Sequence, residues 1–592
     1  MNTSRQLAHA SSLWLVLCGA CGEPAPEPPP GSDRAPPDAE DAGAEPSPGD
    51  DASPSPDAQD DAGTSDAAAS DPWFSDEAFM QVEVELDPID WQKLRGEGRQ
   101  LDEILSGCED KEFDYTTFEA KASINGHDFE RVGVHKKGFL GSLSVLHPSL
   151  RIDLDEFVEK QELYGTKSFT LNNNQQDPTL IHQCMAYALF EAAGLATPRC
   201  SFAQVKVNGE ALGVYTNVEP VKKPFLKRSF GDSKGDLYEG SAPADFRADL
   251  FLNFEKKTNE DQPMGATFEA LAKLLENPPA DLLGALDELI DVDEYLRFWA
   301  MESLLSHWDG YDGNRNNFFV YAAPGTQKLS FIPWGTDGAF SKIAYGPASP
   351  ASVIVRSFLS GRIYATAEGR QRYRETLQEL LDTVWDEDAL LAEVDRYERF
   401  LGTAGIAKGF EQQREFIRAR RGQIEPELAA DAVALPYPEF ASLACHRDLV
   451  SDVRVEFSAP WGDLEQLTLM SGNPVQLSLN GQAVVPLLSY ASAGPLKDSL
   501  RPAGAVQMVL IMFDGSLTVL QWQLGRPAPE LGELATHGFE TFGVVLQGAD
   551  APHLQIVGFI GSGKIVFDKV GATGETVAGH FEGKFVPSVL GQ

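Results

Sequence analysis

The chain has 592 residues, 42% of them hydrophobic, and a formal net charge of -41. That length exceeds one ordinary core and implies several domains. So acidic a chain is poorly suited to nucleic acid or to anionic lipid, because both require clustered Lys and Arg.

The N-terminus, residues 1–21, reads as an export signal. Arg5 supplies the positive start, and SSLWLVLCGAC supplies an apolar run too short to span a bilayer as a helix. Leu17-Cys18-Gly19-Ala20-Cys21 resembles a bacterial lipobox with Cys21 as the lipidated residue; a plain cleaved secretory signal is the alternative. From Gly22 to Asp71 the chain carries 14 acids against one Arg and no aromatic residue. Such a stretch cannot bury enough apolar surface to offset chain entropy, so residues 22–72 are expected to form a disordered acidic tether. With Cys21 assigned to lipid, Cys108, Cys184, Cys200 and Cys445 remain, and four cysteines allow three pairings.

Folded character begins near Trp73. FMQVEVELDP alternates as a strand, and FEAKASINGHDFERVGVHKKG gives two strands around Asn125-Gly126. SLRIDLDEF and KSFTLNNN are further strands. TLIHQCMAYALFEAAG has helical spacing and is closed by Gly194. SFAQVKVNGEALGVYTNVE repeats the hairpin pattern at Asn208-Gly209, so this half is α+β. Helices dominate from about Thr267 to Leu305. A hairpin, FFVYAA with KLSFIPWG, turns at Pro324-Gly325, and helix returns from Gly369 to about Glu427. Past Ala430, short strands separated by Gly, Asn and Pro predict a β-sandwich-like accessory domain over 440–592.

The stretch His307 to Tyr321, HWDGYDGNRNNFFVY, sets two Asp, three Asn and two Gly between an apolar helix and an apolar strand. These residue types make turns for backbone reasons alone. They also supply oxygens for a metal and a carboxylate for proton transfer. An EF-hand is excluded, because counting from Asp309 its third and fifth positions are Tyr311 and Gly313. Asp312 to Asn317 repeats the D-x-x-x-x-N spacing of ordinary kinase catalytic loops, and Asp337 in FIPWGTDGAF is a further acid. No histidine has zinc-site spacing, and the GSGK at 561–564 lacks the full phosphate-loop pattern.

Six words in order, VGVHKKGFLGS, LYGTKSFTLNNNQQDPTLIHQCMAYALFEAAGLATPR, VKVNGEALGVYTNVE, GDLYEG, HWDGYDGNRNNFFVY and FIPWGTD, resemble the spore coat protein H (CotH) kinase-like family. The resemblance implies an atypical protein-kinase-like, two-lobed domain over 73–430. It further implies use of ATP and Mg²⁺ (or Mn²⁺) to phosphorylate Ser or Thr of secreted or surface proteins. By the family's wording Asp309 is the catalytic carboxylate, with Asp312 as second choice. Asn317 and Asp337 would hold metal, while Arg151 and Lys137 would serve the nucleotide and Glu219 would substitute for the acid partner of a kinase lysine. Three departures stand out. Gly335 replaces the first acid of the family's P-W-D-x-D word, Arg151 stands where a Lys is expected, and His182-Gln183-Cys184 stands where the helix word carries Arg and Glu. Arg and Lys meet phosphate differently, as fork and point charge. Two readings follow. One is a kinase of the cell envelope, touching the membrane only through its lipid anchor; the other is a catalytically lapsed relative acting as a surface binding or structural protein.

Overall fold

The computed structural model describes residues 72–75, 77–106, 113–138, 144–341, 350–432, 435, 447–472, 474–479, 481–496, 503–535 and 541–587. Cys21, Cys108 and Cys445 lie outside the described residues, as do the export signal and almost all of the tether. The architecture is mixed α and β.

Seven strands close a barrel: β1 (Met80–Glu85), β2 (Phe118–Ile124), β3 (His127–Lys136), β4 (Leu150–Asp153), β5 (Ser168–Asn172), β6 (Cys200–Val207) and β7 (Glu210–Val218). Their order is β1-β2-β3-β4-β5-β7-β6, with β1 and β6 parallel where the barrel shuts. Burial alternates strictly along β1, as its sequence pattern requires, and Val82, Val84, Ile124, Val134, Ile152 and Phe169 help fill the interior. Both Asn-Gly dipeptides are hairpin turns with positive φ at each residue, 48° and 79° at Asn125-Gly126 and 51° and 81° at Asn208-Gly209. Their side chains also hold β1. Asn125 Oδ1 accepts the Gln81 amide at 2.8 Å, and Asn208 Oδ1 accepts the Leu86 amide at 2.9 Å.

Helices α1 (Pro88–Gly96) and α2 (Leu101–Leu105) follow β1, and α3 (His182–Ala192) follows β5. A disulfide between Cys184 and Cys200 joins α3 to β6, which selects one pairing for these two cysteines. After β7 come α4 (Lys223–Phe230), β8 (Asp236–Gly240), β9 (Phe254–Lys256), α5 (Ala266–Glu276), α6 (Leu282–Asp287) and α7 (Val292–Leu304). The expected hairpin is β10 (Phe318–Ala322) with β11 (Leu329–Pro333), and it completes a four-stranded sheet in the order β11-β10-β8-β9. Helices α8 (Phe358–Ala365), α9 (Ala367–Thr383), α10 (Glu387–Leu401) and α11 (Ala407–Ala429) close this helical body. Its core includes Phe268, Phe298, Trp299, Leu304, Phe331 and Ile417. Asp291 caps α7 by accepting the Glu294 amide at 3.0 Å, and the helix stops where Ser306 takes a φ of 50°.

The C-terminal strands depart from the expected sandwich. Eleven strands between Ser451 and Pro587 form one hydrogen-bonded sheet rather than two stacked ones. The strand Ser451–Pro460 lies far along that path from Leu488–Pro495, yet Trp461 bridges to Ala493. The sheet therefore curls around its own core of Val455, Phe457, Trp522 and Phe581. It meets the barrel side at α2, where the Ser562 hydroxyl donates to Asp102 and, at 3.0 Å, to Gln100 Oε1. No helix among the described residues is long and apolar enough to cross a membrane.

Arg420 on α11 is buried and donates to the carbonyls of Ser303, of Leu304 at 2.8 Å and of Ala351 at 2.8 Å. It thus closes the C-terminal end of α7 just before the Asp- and Asn-rich loop. Arg420→Met leaves those carbonyls without their cationic donor. It should cost about 2–4 kcal/mol, read as a lower urea midpoint with unchanged slope. An unchanged midpoint would show that Arg420 does not hold this end of the helix.

Candidate active site

The last turn of α7 carries Glu302, whose side chain is completely buried. Its Oε1 accepts the Tyr311 amide at 2.9 Å and its Oε2 the Asp312 amide at 2.7 Å. The loop passes so close that a Cβ on Gly310 would lie 2.2 Å from Glu302 Oε1, so only glycine fits there. Burial, then the nearby Asp312 charge, pushes the Glu302 carboxyl well above the usual carboxylate range.

This clamp sends the two loop acids to opposite sides. Asp309 accepts from Asn314 Nδ2 at 2.8 Å and Asn317 Nδ2 at 2.7 Å, with Asn316 Nδ2 3.3 Å from both its oxygens. Burial raises its pKa to about 6 against the pull of those three amides. Asp312 instead points among the helices. Its Oδ1 accepts from the Tyr295 hydroxyl at 2.9 Å and from Ser357 Oγ at 2.5 Å, and burial raises its pKa to about 7. The D-x-x-x-x-N spacing from Asp312 therefore brings no pair together, because Asn317 bonds Asp309. The second-choice role for Asp312 falls on this geometry.

Asp337 sits in a short turn, Thr336–Gly338, directly after β11. The residue as a whole is half-buried. Burial, then the negative charges of Asp309 and Asp177, raises its pKa to about 7, and Lys137 works against that rise. His182, the first residue of α3, places Nδ1 3.0 Å from the Asp337 carbonyl oxygen, so that nitrogen donates. Gly335 has a φ of 52°, and a Cβ there would lie 2.6 Å from Asn317 Oδ1. The acid that the family's word carries at this position would collide with Asn317 on this backbone.

Lys137 follows β3 directly, and its Nζ donates to Asn172 Oδ1 at 2.5 Å. Burial lowers its pKa to about 8, Arg151 adds to that, and the charges of Asp337 and Glu239 oppose it. The barrel thus turns a cation toward acids of the helical body. The neighbouring Lys136 is buried and donates to the carbonyls of Arg95 and Glu97, which makes it a bolt for the barrel wall. Arg151 stands near Lys137 but is paired with Asp153 at 3.0 Å, which also lies 3.3 Å from His135 and 3.7 Å from Lys222. Glu219 binds Arg199 at 2.9 Å and Arg228 at 2.7 Å, so it is no partner for Lys137.

Three contributors escaped the sequence reading. Glu239 lies in the GDLYEG word and Asp177 in the QDPT turn, and both act at a distance that only folding creates. Glu302 left one trace, an acid on the apolar face of α7.

Among the described residues, no three His, Cys, Asp or Glu side chains are gathered into a metal cage. Mg²⁺ does not need one, since it takes one or two carboxylates with waters and substrate phosphates. The residues present fit that demand. Asn317 Nδ2 donates to Asp309, which turns Oδ1 toward Gly335, and the Asp309 charge bears on Asp337.

Two outcomes test this geometry. Gly335→Asp should lower stability by about 1–2 kcal/mol and weaken Mn²⁺ binding rather than improve it, because of left-handed backbone and the Asn317 contact. Melting and metal titration would read both, and tighter Mn²⁺ binding would refute the clash. Folded Asp337 keeps its proton to higher pH than an unfolded aspartate, so its ionisation opposes folding as pH rises from about 4 to about 7. In metal-free buffer, Asp337→Asn should exceed wild type in stability by about 1–2 kcal/mol at pH 8 and match it near pH 4. A pH-independent difference would remove Asp337 from the charged cluster.

A family model described as CotH kinase protein matches residues 137–420. The inner spore coat protein H of Bacillus subtilis (strain 168) is 27% identical over 263 residues, 41% of this chain and 72% of that protein. Invasin CotH3 of Rhizopus delemar is 25% identical over 205 residues, 32% of this chain and 34% of the invasin. The chain therefore spans about a third of that fungal relative. A crystal structure of the Helicobacter pylori proinflammatory kinase CtkA aligns over 47% of this chain and 92% of that one, with 11% identity and a TM-score of 0.28, too low to establish a shared fold.

Proposed function

Because this chain belongs to the CotH family, we propose that it is an atypical kinase that transfers the γ-phosphoryl group of ATP to a protein hydroxyl. One observation carries the reading. Asp337 lies within electrostatic reach of both Asp309 in the helical body and Lys137 of the barrel. Phosphoryl transfer asks the protein mainly to position phosphates, neutralise charge and orient the attacking hydroxyl.

Each residue has a part that its surroundings suit. Lys137 holds phosphate oxygens from the barrel side, and Arg151 adds positive potential beside it. Asp337 and Asn317 Oδ1 are the donors for a divalent cation, which when bound would screen the phosphate charge. Asp309 orients the acceptor hydroxyl and receives its proton, with its own carboxylate held in place by three neutral amides. We place the acceptor among Ser or Thr residues of secreted or surface proteins, and the enzyme at the cell envelope through the export signal ending at Cys21. The alternative, a lapsed site on a retained fold, draws on Arg151, whose guanidinium is committed to Asp153.

The test is thermal melting of the full chain with ATP and Mg²⁺ or Mn²⁺, followed by phosphate incorporation into the chain itself. Saturating ligand must stabilise the native state, by about 2.7 kcal/mol at a hundred times Kd. The expected result is a metal-dependent rise in Tm that disappears in Asp337→Ala, and incorporation that falls by about a hundredfold or more in Asp309→Asn. No rise at millimolar nucleotide would overturn the kinase reading in favour of the lapsed one.

A further inference from the structure

The Lys137 ammonium rests on an amide oxygen rather than on a carboxylate. An ammonium only donates, so Asn172 must present Oδ1 to it and turn Nδ2 the other way. That Nδ2 donates to Gln183 Oε1 at 2.9 Å, which turns Gln183 Nε2 onto Asn174 Oδ1 at 3.1 Å. Asn174 Oδ1 also accepts the Thr216 hydroxyl at 2.9 Å. Each amide orientation is dictated by the one before it, and the first is dictated by the charge. Gln183 and Asn174 are each 1% exposed, so water does not compete for these bonds. The relay joins the end of β3 to β5, α3 and β7.

Helix α3 is fixed at the same point. Cys184, the residue after Gln183, is disulfide-bonded to Cys200 on β6, and His182, the residue before it, donates to the Asp337 carbonyl. Ordinary protein kinases hold their nucleotide-binding lysine with a glutamate on a helix whose position controls activity. A carboxylate would also offset much of the ammonium charge. A neutral amide holds the ammonium and leaves its charge for a ligand.

We propose that Gln183, acting through Asn172, is a positioning residue that holds Lys137 ready for the phosphates of a nucleotide. The ligand in this statement rests on the kinase reading; the relay itself does not. Helix α3 is tied to the barrel beside this relay by the Cys184–Cys200 disulfide.

The test is a double-mutant cycle in the full-length chain. Binding of ADP with Mg²⁺, and separately of inorganic tripolyphosphate, is measured by calorimetry for wild type, Lys137→Met, Gln183→Leu and the double variant. Gln183→Leu should weaken both ligands about tenfold, the upper end of what one neutral hydrogen bond contributes. The double variant should bind no more weakly than Lys137→Met, because the two side chains act as one unit. Effects that add would assign Gln183 to packing alone and overturn the proposal. Asn172→Ser, at a partly exposed position, repeats the cycle if Gln183→Leu does not fold. If wild type binds neither ligand, the kinase reading fails by itself. The relay is then read from acetylation of Lys137 by acetic anhydride, followed by peptide mass spectrometry. Acetylation several times faster in Gln183→Leu or Asn172→Ser supports the relay, and an unchanged rate overturns it.

Discussion

The buried Glu302 carboxylate, accepting the Tyr311 and Asp312 amides, is the constraint on which the rest of the site depends. Burying an acid is costly, and the strongly raised pKa of Glu302 expresses that cost. What the fold gains is a loop with one conformation. The Tyr311 hydroxyl continues the network to Asp245 at 3.0 Å, whose other oxygen accepts the Phe358 amide at 2.8 Å at the start of α8. Helix α7, the loop and α8 are thereby one hydrogen-bonded unit, and Asp309 is the loop acid whose charge bears on Asp337.

The charges that act around Asp337 are divided between the two bodies. The helical body contributes Asp309, Asp337 and Glu239, while the barrel contributes Lys137 with Arg151 close by. Asp337 and Asp309 raise each other's free energy when both are charged, so the protein alone holds a configuration that a cation would relieve. The departures from the family's wording differ in kind against this background. Gly335 is a matter of packing, since the Asn317 amide occupies the space its side chain would need. Arg151 is a matter of pairing, since Asp153 has taken its guanidinium. The departure at Gln183 replaces an ion pair with a chain of dipoles.

Asp309 and Asp312 show how far chemistry in sequence can mislead. They lie three residues apart in one polar loop, and the kinase-like spacing to Asn317 favours Asp312. The family's wording favours Asp309 instead, and in the fold Asn317 bonds that residue. Asp312 is enclosed by Tyr295 and Ser357 and works as a structural acid, while Asp309 collects three asparagine amides that in sequence read equally well as turn formers.

The elements governed by local chemistry were legible in the chain. Strict alternation made β1, the two Asn-Gly dipeptides made their hairpins, and 3.6-residue periodicity made α3 and α7, because each depends on neighbours within a few positions. The ordered family words located the site region as well. What rests on residues far apart in the chain emerged only on folding. These include the closure of β1 against β6, the single curled C-terminal sheet, the Arg partners of Glu219, and the pairing of Cys184 with Cys200. The Lys137 relay and the repulsion between Asp309 and Asp337 belong to the same group. The physical reason is common to all of them. Burial and electrostatic coupling are properties of distance in space, and a linear pattern encodes distance only where the backbone is locally regular.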